Sequence, residues 1–183
     1  MLGSITRAGK RFVKERIGPA YAARQPRRSD IPLAHWGLGV DPNGALCADG
    51  INLAQAGAEF GTPLQVILAD RLEQRAADAL VPFRAGRGAD IFYSYKTDPV
   101  PEVLSRLHAA GIGAEVISAY EWWLARHLGV PGDRIVYNGP AKSDDSVRDA
   151  IRAGAHLVNA NSLSEMRRII ALADEEGATV NLG

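Results

Sequence analysis

The sequence contains a single cysteine, Cys47, among 183 residues. One cysteine cannot form a disulfide within the chain, and this composition is typical of reducing, intracellular compartments. No apolar run approaches the roughly 20 residues that a membrane span requires. Lys and Arg together number 21, as do Asp and Glu, so no excess charge indicates a nucleic acid or an anionic membrane as partner. We therefore expect a cytoplasmic protein without a membrane span and without a nucleic-acid partner.

The beginning of the chain differs in composition from the rest. Residues 1–30 contain eight Lys or Arg residues and two acidic residues, without the continuous apolar core of a secretory signal. Residues 36–44 have the pattern of a short extended segment and a turn, and residues 51–60 have that of an amphipathic helix. We predict a basic N-terminal arm and extension over 1–50 and a main domain over 51–183.

From about residue 60 onward one pattern repeats: an apolar run, a helix signal, an amphipathic stretch and a turn containing glycine. This alternation predicts an α/β fold built from parallel βα units. The predicted strands are 64–68, 91–95, 114–117, 135–137, 156–158 and 179–182. Five to six such units fit a doubly wound sheet or part of a (β/α)8 barrel of the TIM type. No G-x-G-x-x-G motif follows the first run, which argues against a dinucleotide-binding fold.

The helices carry recognisable start signals. Asp98 followed by Pro99 predicts an N-cap with proline at the first helical position. The stretches 118–121 and 162–165 both match the capping box S-x-x-E, in which serine and glutamate satisfy the free backbone amides of the first turn.

Lys96 follows the apolar run 91–95 directly and precedes a predicted helix. Functional side chains of parallel α/β folds lie at the carboxyl ends of the strands. Lys96 is therefore a candidate catalytic amine, and the alternative is a surface lysine leaving a strand. The four histidines lack metal-ligand spacing, and we interpret them as structural.

Four motifs occur in one order: F-G-T-P-L at 60–64, F-Y-S-Y-K-T at 92–97, G-A-E-V-I-S-A-Y-E at 113–121, and R-I-V-Y-N-G-P-A-K-S-D at 134–144. Over residues 55–183 this series resembles the N-terminal portion of the pyridoxal-phosphate barrel of the diaminopimelate/ornithine decarboxylase family, which has the alanine-racemase-like fold.

The resemblance implies a pyridoxal-phosphate-dependent carboxy-lyase that decarboxylates an amino acid. It implies that Lys96 forms the Schiff base with the cofactor, and that Glu115 faces the cofactor. Ser118, Glu121 and Asn138 match further cofactor-binding positions, and Lys142 matches a position near the mouth of the site. The family's other cofactor contacts lie on later strands. We therefore expect an incomplete or split barrel that is inactive alone and needs a C-terminal half, from the same protein or a partner chain, within a homo- or hetero-oligomer.

Alternatives remain for both the residues and the function. The capping box alone explains Ser118 and Glu121. Glu115 has Lys96, the cofactor, or another basic side chain as its expected partner. The chain as a whole fits two other functions: a non-catalytic half-barrel that serves as a scaffold or regulatory subunit, and a pyridoxal-phosphate-dependent racemase.

Overall fold

The structure is a computed structural model that describes residues 31–84 and 89–183. The predicted basic segment 1–30 lies outside the described residues. The chain divides into two compact units, the first ending at Val66 and the second spanning Ile67–Gly183. Within the described ranges, no helix is long and apolar enough to cross a membrane.

In the first unit a small antiparallel sheet precedes one helix. The 3-10 helix Leu33–Trp36 leads into the strands β1 (Leu38–Val40), β2 (Leu46–Ala48) and β3 (Ile51–Asn52), which pair in that order, and helix α1 (Leu53–Phe60) follows. The side chain of Asp41 accepts hydrogen bonds from the amides of Asn43 and Ala45, which closes the β1–β2 turn. The predicted turn and helix are confirmed here, although the helix begins two residues later than predicted.

The second unit contains a four-stranded parallel sheet. Its strands are β4 (Phe92–Ser94), β5 (Gly113–Val116), β6 (Ile135–Tyr137) and β7 (Leu157–Val158), and their order in the sheet is that of the sequence. The helices are α2 (Ala69–Arg84), α3 (Pro101–Ala109), α4 (Ala119–His127), α5 (Asp144–Arg152) and α6 (Leu163–Glu175), and a 3-10 helix (Gly132–Arg134) precedes β6. Neighbouring strands are connected by helices, as βα units require.

The main core of this unit lies between the sheet and its helices. Alternate strand residues such as Ala114, Val116 and Tyr137 are fully buried and pack against helix residues such as Val147. Trp122 on α4 is buried as well, stacks on Tyr137 with ring centroids 5.6 Å apart, and donates a hydrogen bond from its indole nitrogen to Asp149. Because strand side chains alternate between faces, the residues between these core positions point to the opposite face of the sheet.

Two predicted strands are wrong. Residues 64–68 form no strand, and the side chains of 64–67 are exposed. An extended segment becomes a strand only when its backbone groups find a ladder partner, and an apolar composition does not supply one. The run 179–182 makes a single parallel bridge, between Leu182 and Val158, instead of a strand.

The predicted start of the third helix is also wrong. Helix α3 begins at Pro101, which takes the first helical position, and Val100 is its N-cap residue. The Asp98 carboxylate accepts a hydrogen bond from the Val100 amide at 3.2 Å, which makes a local turn before the helix. Proline occupies both position 99 and position 101. Because Asp98 forms a local turn, the helix begins at the second proline, two residues later than predicted.

Two glycines with positive φ provide a matched test of close packing after β6. Gly139 has φ +92°, and a Cβ there would overlap the backbone carbonyl of Ile117, whereas Gly129 has φ +81° and open space around it. We expect Gly129→Ala to cost roughly 1 kcal/mol of backbone strain, and Gly139→Ala roughly 1–3 kcal/mol more because of the overlap. Urea unfolding of both variants measures the difference, and equal losses of stability would contradict the packing described here.

Candidate functional site

The carboxyl edge of the parallel sheet carries one polar side chain from each strand. Ser94 ends β4, Glu115 lies near the end of β5, and Asn138 and Asn159 follow β6 and β7 directly. Parallel strands bring their carboxyl ends to the same edge, so these four residues lie side by side. We call them the polar row.

Hydrogen bonds connect the polar row across all four strands. The Glu115 carboxylate accepts one hydrogen bond from the Ser94 hydroxyl and another from the Asn138 amide nitrogen, the latter at 2.6 Å. The Asn138 amide oxygen in turn accepts a hydrogen bond from the Asn159 amide. Because Ala114 and Val116 on either side of Glu115 point into the core, Glu115 itself points to the other face, where it is half-buried.

Of the three partners considered for Glu115, the two basic ones are not observed, and the cofactor stays a prediction. Among the described residues, Glu115 makes no ion pair with Lys96 or with another basic side chain, and neutral donors surround it instead. A carboxylate removed from water is costly unless hydrogen bonds replace its hydration, and a hydroxyl and an amide supply them here. Ser94 and Asn138 therefore take the place of a basic side chain among the described residues.

Lys96 lies in an exposed turn just beyond β4. The Thr97 amide donates to the Ser94 carbonyl at 3.0 Å and closes this turn, and the Tyr95 amide donates to the Glu115 carbonyl at 3.0 Å. The Lys96 side chain makes no polar contact with the described part of the chain. Its amine is thus accessible at the edge that carries the polar row, as predicted for a strand-end lysine.

Ser118 and Glu121 form a capping box at the start of α4. The Ser118 hydroxyl accepts a hydrogen bond from the Glu121 amide at 3.2 Å, and the Glu121 carboxylate accepts one from the Ile117 amide at 2.7 Å. The predicted cap is confirmed, and both side chains already have structural partners. The structure brings together Ser94, Glu115 and Asn138 in the polar row and uses Ser118 and Glu121 to begin a helix.

A buried ion pair below this edge was not predicted. The Lys142 side chain is fully buried, and its ammonium donates to the Glu165 carboxylate at 3.0 Å and to the Gly139 carbonyl at 2.5 Å. The side chain of Asn161 also donates to the Gly139 carbonyl, at 2.8 Å. The turn after β6 is thereby fixed to the start of α6, next to Asn138.

The charge of Glu165 is stabilised in this pair. Burial alone raises the pKa of the Glu165 carboxyl, but hydrogen bonds from the Asn161 amide, Lys142 and the Asn161 side chain outweigh burial and hold the pKa below its ordinary value. A lowered pKa means that the folded state favours the ionised carboxylate. The contribution of Glu165 to stability is therefore present above pH 4.5 and is lost as the pH falls through the lower folded-state pKa.

Sequence reasoning missed Ser94 and Asn159 as members of the polar row, although a signal existed. Both are polar residues at the carboxyl end of an apolar run, which is the position that identified Lys96 as a candidate. The pairing of Lys142 with Glu165 had no such signal, because 23 residues separate them and only the packing of α6 brings them together.

The sequence model of the family described as "Pyridoxal-dependent decarboxylase, pyridoxal binding domain" matches residues 69–182, more than half of the chain.

The chain belongs to this pyridoxal-dependent decarboxylase family.

Relatives of known identity agree with the family assignment. The chain is 33% identical over 137 residues to the diaminopimelate decarboxylase of Zymomonas mobilis, covering 74% of this chain and 32% of that protein. It is 31% identical over 179 residues to that of Mycobacterium leprae, covering 95% of this chain and 38% of the relative. The chain thus spans about a third of the length of the curated relatives it matches.

A solved structure extends this agreement to the fold. The diaminopimelate decarboxylase of Methanocaldococcus jannaschii superposes with a TM-score of 0.73 at 26% identity, covering 83% of this chain and 36% of that one. A second structure of that enzyme was determined in co-complex with L-lysine. The likeness confirms the predicted fold class, part of a TIM-type (β/α)8 barrel, and the predicted family.

The cofactor of this family is pyridoxal phosphate, as predicted. The residues at the carboxyl edge fit such a cofactor, because its aldehyde requires an accessible amine and its polar ring substituents require hydrogen-bonding groups. Lys96 provides an exposed amine, and the polar row lies along the same edge. When bound, pyridoxal phosphate withdraws electrons from the α-carbon of an amino acid.

The buried pair gives a stability prediction. Lys142→Met removes the nearer cation of the buried Glu165 carboxylate and leaves Arg168, 3.8 Å away, as its ion-pair partner; we expect a loss of up to about 3–5 kcal/mol in the free energy of unfolding. Adding Glu165→Leu removes the carboxylate and is expected to recover part of that loss. As a control, Arg106→Met breaks two ion pairs at the surface of α3, with Glu73 and Glu102, and is expected to have little effect. Denaturant unfolding measures all four proteins, and a loss for Lys142→Met no larger than that of the control would contradict this account.

Proposed function

We propose that this chain is the cofactor-binding part of a pyridoxal-phosphate-dependent decarboxylase that removes the α-carboxyl group of an amino acid, in the manner of diaminopimelate decarboxylases. The observation that supports it best is the position of Lys96. The chain belongs to a pyridoxal-binding family, and its one exposed lysine among the described residues lies at the carboxyl edge of the parallel sheet.

The polar row supports a role for Glu115 and Asn138 in holding the cofactor. Glu115 has two oxygens, and each accepts one hydrogen bond from a neutral donor, so further acceptor positions remain on the carboxylate. These positions would accept hydrogen bonds from polar groups of a cofactor held at this edge. Ser118 and Glu121 remain part of the proposed site. Their capping hydrogen bonds fix the start of α4 beside the end of β5.

The proposed substrate is an amino acid that carries a second amino group. The support is the name of the relatives, diaminopimelate decarboxylase, and the L-lysine in the Methanocaldococcus jannaschii structure. Decarboxylation of such an amino acid leaves an amine and carbon dioxide, so release of carbon dioxide is the natural assay.

The proposal includes a second component. Four parallel strands are present in the described sheet, and a (β/α)8 barrel has eight. We propose that further strands, from another segment of the same protein or from a partner chain in an oligomer, complete the cofactor site, and that the present 183 residues alone have little activity. A cytoplasmic location remains part of the proposal, supported by the single cysteine.

Covalent trapping of the cofactor tests the role of Lys96. The chain is incubated with pyridoxal phosphate, reduced with borohydride and digested, and the label is located by mass spectrometry. We expect the label on Lys96 in preference to Lys10, Lys14 and Lys142, the other lysines of the sequence. Lys142 is a matched internal control, because its ammonium is buried and bound to Glu165.

The Lys96→Ala variant is expected to lose the labelled peptide and the absorbance band of the bound cofactor. Label spread over all four lysines, or label that persists in Lys96→Ala, would contradict the assignment. Absence of label from the wild type, with any partner co-expressed, would favour the non-catalytic scaffold instead.

A further inference from the structure

A hydrogen-bond chain lies directly behind Lys96. The Tyr95 side chain is fully buried, and its hydroxyl lies 2.7 Å from Nε2 of His108 on α3. The other ring nitrogen of His108, Nδ1, lies 2.8 Å from the backbone carbonyl oxygen of Ile112. The two rings are also in contact, with centroids 5.8 Å apart.

The direction of these hydrogen bonds follows from their chemistry. A carbonyl oxygen can only accept, so Nδ1 of His108 carries the hydrogen that it donates to Ile112. In a neutral imidazole the other nitrogen is then an acceptor, and the Tyr95 hydroxyl donates to it. The chain therefore runs from Tyr95 through neutral His108 to Ile112.

Tyr95 directly precedes Lys96, and hydrogen bonds hold both its backbone and its side chain. Its amide donates to the Glu115 carbonyl at 3.0 Å, and its hydroxyl is held by His108. The Lys96 side chain has no polar contact within the described residues, so the direction in which its amine points depends on the turn that Tyr95 begins.

We propose that Tyr95 and His108 are positioning residues for Lys96, and that their hydrogen bond holds the turn 95–97 in the conformation that presents the amine at the carboxyl edge. The role of Lys96 itself rests on the proposed function. Neither side chain makes a hydrogen bond with the polar row: Tyr95 acts through the backbone of the turn, and His108 acts through Tyr95.

The direction of this hydrogen bond depends on the protonation of His108. A protonated imidazole donates from both nitrogens, so the Tyr95 hydroxyl would have to accept from Nε2 instead of donating to it, and a charged ring would be buried. Burial lowers the pKa of His108, the hydrogen bond to Ile112 partly opposes this, and the charge of Arg134 lowers the pKa further. Arg134 is itself paired with Asp90. Burial, and after it the charge of Glu121, raises the pKa of the Tyr95 hydroxyl. The folded state thus favours neutral His108. The contribution of neutral His108 to the stability of the fold is fully present above pH 6.5, the ordinary pKa of histidine. It is lost as the pH falls through the lower folded-state pKa.

Hydrogen exchange tests the positioning without any cofactor. The Thr97 amide closes the turn and reports its opening, measured by exchange of the peptide that contains it. Tyr95→Phe removes only the hydroxyl, and His108→Leu removes the acceptor. We expect each to accelerate exchange of this amide about fivefold, the equivalent of one hydrogen bond of about 1 kcal/mol. His127→Leu on the exposed surface of α4 makes the same change to a histidine elsewhere and is expected to leave the turn unchanged.

A conservative variant separates positioning from general stability. His108→Gln retains an acceptor for Tyr95 but does not titrate in this range. At pH 7.5 we expect the Thr97 amide of this variant to exchange as in the wild type. At mildly acidic pH, after correction for intrinsic exchange, we expect the wild-type turn to lose protection and the variant to keep it. Exchange in the turn that is unchanged in Tyr95→Phe and His108→Leu would overturn the proposal. Acceleration spread equally over the amides of the sheet would overturn it too, because that indicates a purely structural role.

Borohydride trapping on the same proteins links the turn to the amine. We expect label on Lys96 to fall severalfold in Tyr95→Phe and His108→Leu and to return in His108→Gln. A wild type that takes no label contradicts the proposed function, while the exchange measurements still decide whether Tyr95 and His108 hold the turn. Label that is equal in all variants, with a labelled wild type, overturns the positioning role.

Discussion

The edge of the parallel sheet depends on the hydrogen bonds that the Glu115 carboxylate accepts. This carboxylate is held by a hydroxyl from β4 and an amide from the end of β6, so one side chain ties three strands together at their carboxyl ends. Neutral groups supply these hydrogen bonds, and Glu115 forms no ion pair within the described chain. The strand ends beside Lys96 are thus connected through a carboxyl group with neutral partners.

A second constraint acts in the segment that follows β6. Lys142 is buried completely, and its ammonium is satisfied by Glu165 and by the Gly139 carbonyl. Buried ion pairs contribute little net stability compared with apolar residues, but they tolerate few alternative arrangements. Here the pair fixes where the chain goes after Asn138, and through Asn138 it restrains the amide that donates to Glu115.

Local patterns in the sequence predicted much of this arrangement. The capping serines Ser118 and Ser162 were identified correctly because each cap involves residues only three positions apart. The strands β4 to β7 were predicted because their apolar runs are short and bounded by turns, and the strand-end position of Lys96 because it follows such a run. Asn138 was identified by the resemblance to the family. The family and its cofactor came from four ordered motifs.

The errors share one physical cause, which is dependence on a partner distant in the sequence. Residues 64–68 are as apolar as a strand but have no ladder within the described structure. A partner was expected for Glu115 because burial of a carboxylate is costly, yet the sequence does not show that Ser94 and Asn138 become its neighbours. His108 was interpreted as structural without a named partner, since its contact with Tyr95 exists only once α3 packs against the end of β4.

The conformation of Gly139 has a consequence for how this sequence can vary among its relatives. Its φ of +92° excludes most side chains, and the carbonyl of Ile117 excludes every Cβ, so two independent restrictions act on one position. Gly129 has only the first restriction, and asparagine or aspartate can replace it at modest cost. If the fold is kept, small polar residues are tolerated at position 129. At position 139, any residue other than glycine requires the ends of β5 and β6 to shift.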